Sequence, residues 1–129
     1  METILNIYNG SFEIEHSIYE GFVIVTTEQQ IKIGIQDGQY YCEKWGYLIT
    51  NDNTMEFIGS ELISIAVVDQ ALNKKYIEEI ESLDAGGAMF VNLETTAGLL
   101  QFVAYNAHNG YYGHDAVLIS KQLNHSETL

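Results

Sequence analysis

Asp37, Cys42 and His114 are the residues whose types and spacing could do defined chemistry, because a carboxylate, a thiolate and an imidazole are all ligands that zinc accepts. Asp37 and Cys42 stand in the first long turn of the chain, and His114 closes the segment His108-Asn-Gly-Tyr-Tyr-Gly-His114. A zinc ion shared by the two turns would staple the loops of a small domain. His108, on the opposite arm of its turn, is the reserve fourth ligand. The same residues also have a plain structural use. Asn109-Gly110 supplies positive φ for a hairpin, Tyr111 and Tyr112 can cap a core, and Cys42 can be a buried thiol.

Catalytic patterns are scarce. Gly59-Ser60-Glu61 lacks the flanks of a nucleophile elbow, and no glycine-rich turn ends in Lys-Ser or Lys-Thr to cradle phosphate. His114-Asp115 has the residue types of half a hydrolytic pair, yet neighbours on a strand point to opposite faces. Asn51 to Glu56 begins like a calcium loop but lacks its central Gly and closing Glu. The expectation is a protein that binds rather than an enzyme.

Charge supports that expectation. Eighteen Asp and Glu face five Lys and no Arg over 129 residues, a formal net charge of −13. Such a surface repels nucleic acid and attracts basic partners. Without Arg it also lacks the usual bidentate reader of guanine. The acidic residues run from Glu2 to Glu127, and the densest group, Glu78, Glu79, Glu81 and Asp84, is the expected partner contact. An apolar fraction of 47% separates the chain from a disordered acidic tail. One cysteine allows no internal disulfide, and the first ten residues carry no signal-peptide pattern, so the cytosol is the expected location.

The elements that must position these residues are mostly strands. Gly21 to Thr27 and Gln30 to Gln36 read as a hairpin, and Leu62 to Val68 as a central strand. Ala88 to Thr95 and Leu99 to Tyr105 form a second hairpin across Thr96-Ala-Gly98, and Ala116 to Ser120 a last strand. Met55 to Gly59 suggests one helical turn. From Gln70 to Leu83, Ala71, Leu72, Tyr76, Ile80 and Leu83 recur at helical spacing, which predicts an amphipathic helix with an acidic outer side. The expected class is α+β, mainly antiparallel sheet with one helix, in a single domain over 1–129 whose residues 122–129 fray.

Gln36-Asp-Gly-Gln-Tyr-Tyr-Cys-Glu43, Phe57-Ile-Gly-Ser-Glu-Leu-Ile-Ser64 and Ala107-His-Asn-Gly-Tyr-Tyr-Gly-His114 resemble, in that order, three landmarks of an uncharacterised domain family common in bacteriophages and prophages. That family often has two adjacent cysteines where this chain has Tyr41-Cys42, and often Ser at His108 or His114. Small, acidic, Arg-poor phage proteins are in turn similar to anti-CRISPR inhibitors of Cas9, a likeness of composition and not of motif. The resemblance implies an inhibitor that binds a basic surface of Cas9 and prevents target DNA loading, with carboxylates in place of phosphates. The alternative is a metal-stabilised structural or regulatory phage protein without inhibitory activity.

Overall fold

Gln30–Gln36 (β3) shows how alternation builds this molecule: Ile31, Ile33 and Ile35 share one face and are buried, while Gln30, Lys32 and Gln36 on the other face are partly or fully exposed. A computed structural model describes residues 2–37, 44–51, 53–72, 87–107 and 113–129. With β3, its strands are Glu2–Ile14 (β1), Ser17–Thr26 (β2), Lys44–Ile49 (β4), Glu61–Val68 (β5), Gly87–Thr95 (β6), Gly98–Ala107 (β7), Asp115–Ile119 (β8) and His125–Thr128 (β9). They pair antiparallel in the order β4-β7-β6-β5-β1-β2-β3-β8-β9.

Among the described residues the single helical element is a 3-10 turn, Thr54–Phe57, capped by the Asn53 side chain. The α+β expectation is therefore corrected to an almost wholly antiparallel β-fold, 70% strand with no α-helix among the described residues. At the start of the expected helix, tertiary contacts override the local period. The Leu72 N–H donates to Gln101 Oε1 at 2.8 Å, and the Gln70 carbonyl accepts from Gln101 Nε2 at 2.9 Å. The rest of that segment, 73–86, lies outside the described residues. Residues 122–129, expected to fray, include β9, which pairs along β8 from Asp115↔Thr128 to Leu118↔His125. No helix among the described residues is long and apolar enough to cross a membrane.

β1 bends the sheet. It meets β5 only at Glu2↔Leu62 and Thr3↔Glu61, breaks register between Ile4 and Asn6, and then runs alone beside β2 to Ile14. The two halves of the sheet so formed close on one another. Phe22 of β2 meets Tyr47 of β4 edge-on at 5.3 Å and Phe102 of β7 at 5.2 Å, inside a core that includes Ile4, Ile24, Met89, Leu93, Leu100 and Leu118. β5, expected to be central, does lie mid-order, but its short pairing with β1 leaves Ile63 54% exposed.

Glu2 pins the corner. Its carboxylate accepts from the Thr26 hydroxyl at 2.5 Å, Gln29 Nε2 at 2.6 Å and Gln122 Nε2 at 2.8 Å, joining β1 to the β2–β3 turn and the β8–β9 connection. Burial pushes its pKa up, but these three hydrogen bonds and the charge of Lys121 outweigh it, and the group titrates below the ordinary 4.5. A carboxyl depressed on folding adds stability that is present above its unfolded pKa and lost as pH falls through the folded value. Glu2→Gln is accordingly expected to cost about 1–2 kcal/mol at neutral pH and to flatten the acid limb of stability, as read from urea titrations at neutral pH and about pH 3.

Candidate functional site

Outside the main core, β1, β2 and β8 present a second apolar cluster of Phe12, Tyr19, Val23 and Val117. Phe12 and Tyr19 sit opposite each other on β1 and β2, their rings stacked 5.8 Å apart and 6° from parallel. Lys32 stands over the Phe12 ring at 5.8 Å. Room for the aromatics comes from glycine. Gly10, Gly21 and Gly34 line up across β1, β2 and β3.

Beside this cluster the β1–β2 hairpin and the β8–β9 pair border a cleft of about 490 Å³. Tyr19, Val117 and Ile14 give it an apolar floor, and Glu15, Asp115 and Glu127 bring three carboxylates to it. Burial first, then the charges of Asp115 and Glu15, raises the Tyr19 pKa above its ordinary 10.0. Asp115 accepts from the Thr128 hydroxyl at 2.8 Å, and His125 Nε2 lies 2.7 Å from Glu127 Oε2. Those last two residues also line a second cleft with Val67, Val68, Asp69 and Ala88, so β9 is a wall between two acidic hollows. The chemistry this offers is recognition of a cation, with apolar surface at hand for the stem of a long basic side chain.

The hairpin carrying Glu15 is strained. Its two-residue turn, Glu15-His16, has φ of 49° and 72°, where Asn-Gly is the favoured pair. Replacing it with Asn-Gly is expected to raise stability by about 1–2 kcal/mol, seen as a higher melting temperature. The same change removes one cleft carboxylate, so binding of a basic partner should fall as stability rises.

The expected metal residues divide. Because β3 pairs with β8, His114 lies beside the end of β3, and its Nδ1 is 2.8 Å from the carbonyl oxygen of Gln36, next in chain to Asp37. His114 is 1% exposed and stacked on Trp45 at 5.6 Å, whereas Asp37 is exposed and its N–H donates to Ile18. Cys42 and the reserve His108 lie outside the described residues, as do Glu78, Glu79, Glu81 and Asp84. Among the described residues no group of three His, Cys, Asp or Glu is placed to hold a metal, so Asp37 and His114 do not by themselves make a zinc site. His114 faces the interior while the adjacent Asp115 faces the cleft.

Sequence reasoning missed Glu15 and Glu127 as site residues. Neither stands in a motif, and they meet only because β8 joins β3 and β9 joins β8. No curated protein and no solved structure matches the chain. A family model matches residues 5–118, nearly its whole length, and the chain belongs to that family, DUF7448, described as a domain of unknown function.

Proposed function

We propose that this protein is an acidic binding domain for a basic surface of a nucleic-acid-handling protein. In its specific form, it is an inhibitor from a phage or mobile element that occupies a basic surface of Cas9 and prevents target DNA loading. The observation that carries the reading is the charge of −13 without a single Arg, together with the convergence of Glu15, Asp115 and Glu127 on one cleft. A channel built to hold phosphates presents Lys and Arg, and carboxylates on a rigid sheet can compete for them. Attraction of this kind speeds encounter and weakens with salt.

The test is a cleavage assay with purified Cas9, guide and target DNA. Added protein should suppress cleavage near equimolar ratio, and Glu15→Lys with Asp115→Lys should relieve the suppression. Full cleavage at a large excess of the protein would contradict the Cas9 form of the reading, and failure to retain any basic protein at low salt would contradict its general form.

A further inference from the structure

From Asn6 to Ile14, β1 has among the described residues a neighbour on one side only, since its pairing with β5 ends at Thr3 and Ile4 bonds instead to Ser60 and Gly59. Antiparallel pairs alternate between residues that exchange both backbone bonds and residues that exchange none. The two-residue turn makes Ile14 and Ser17 a bonded pair, so Phe12, Gly10 and Tyr8 also bond to β2. The amides and carbonyls of Ile7, Asn9, Ser11 and Glu13 therefore point away from the sheet. The Ile7 N–H is closed off by the Asn6 side chain at 2.9 Å, and among the described residues no backbone partner meets the groups of Asn9, Ser11 and Glu13.

Edges of this length are normally protected by Lys, Pro or brevity, as the four-residue β9 is. β1 carries no Lys and no Pro. Across β1, β2 and their turn the carboxylates are Glu2, Glu13, Glu15 and Glu20, His16 is the one imidazole, and the first Lys is Lys32. One face of the edge presents Tyr8, 42% exposed, then the buried Phe12 and the half-buried Ile14, and the other presents Asn9, Ser11 and Glu13 with Glu20 behind.

We infer that the open edge of β1 is a strand-addition site whose occupant is an extended segment of a partner protein, alternating basic and apolar residues. The added strand would take its backbone bonds from Asn9, Ser11 and Glu13, lay its apolar side chains along Tyr8 and Phe12, and set its basic ones against Glu13 and Glu20. A second copy of this chain fits worse, because it would bring another −13 to the same edge. The inference deepens the basic-partner reading and rests on it.

The test uses the whole protein and a short synthetic peptide of alternating lysine and valine, with a glutamate–valine peptide as control. The expected result is binding of the lysine peptide alone, with the Asn9, Ser11 and Glu13 amides gaining protection from hydrogen exchange. Ser11→Pro, which removes an outward N–H, and Ser11→Lys, which leaves the backbone intact, should each weaken binding by about tenfold or more. Binding without amide protection, or unaffected by Ser11→Lys, overturns the edge site while the basic-partner reading stands. Equal binding of both peptides, or self-association through β1 in their place, overturns the choice of occupant. No binding of the lysine peptide overturns the inference, and retention of a basic protein at low salt would then show that the broader reading survives it.

Discussion

Gly21→Ala is expected to cost about 3 kcal/mol or more, a large part of the ~5–15 kcal/mol that holds a domain of this kind together. A methyl group there would collide with the Ile33 carbonyl oxygen and lie 2.6 Å from the Gly34 Cα, both on the neighbouring strand β3. Backbone cannot yield as a side chain can. Gly34→Ala would meet the Glu20 carbonyl at 2.6 Å and the tip of Phe12 at 2.8 Å, and should be nearly as damaging. Gly10, third in the same row, is the internal control. Its added methyl would touch only the Tyr8 ring, at 3.4 Å, and Gly10→Ala should change stability by less than about 1 kcal/mol. Urea denaturation of the three variants checks this, and equal losses at Gly10 and Gly21 would show that close strand approach is not what selects glycine.

Gln101→Leu is expected to cost about 3 kcal/mol by a different route. Gln101 is fully buried and satisfies every polar group of its side chain. Oε1 accepts from the Thr50 hydroxyl at 3.0 Å and from the Leu72 N–H, while Nε2 donates to the Gln70 carbonyl and to Asn92 Oδ1 at 2.8 Å. Leucine fills the space but removes the partner of all four groups, of which the Thr50 hydroxyl is buried, and an unpaired buried group costs about 1–3 kcal/mol. Gln101→Glu keeps both acceptor contacts and turns a carboxylate toward two oxygens, so it should also destabilise. The specific signature is loss of hydrogen-exchange protection at the Leu72 amide beyond that caused by global destabilisation.

These two sites show where the sequence is legible and where it is not. The β2–β3 and β6–β7 hairpins can be read directly, since Ile31, Ile33 and Ile35 alternate and Gly98, at φ 120°, closes its turn. The β1–β2 hairpin cannot be read, because Glu15-His16 is a poor turn pair that the rest of the sheet holds in place. Nothing local marks Gly21 as irreplaceable, since the collision is with a strand that pairs with it. The same conflict appears at 70–72, the only described residues of the expected helix. Ala71 and Leu72 fit a helical period, yet Leu72 is bound by Gln101, twenty-nine positions along the chain. Local period and long-range hydrogen bond conflict there, and the latter prevails.

The candidate site was legible only in part. His114 and the end of β3 could be brought together from the order of turns, and the pairing of β3 with β8 does so. The acidic cleft could not be foreseen. Its carboxylates come from the tip of one hairpin and from two C-terminal strands, and its floor is an apolar cluster on what strand alternation would assign to solvent. Net charge did carry information that spacing did not. It is the ground for proposing a basic partner before any residue can be placed.

Target DNA loading tests the central claim most directly. Guide-loaded Cas9 is titrated with labelled target duplex at fixed low salt, with and without this protein, and bound DNA is measured at equilibrium. The account predicts that DNA binding falls in proportion to added protein and approaches zero near equimolar ratio. DNA binding that stays unchanged at a large molar excess of the protein at low salt would contradict it.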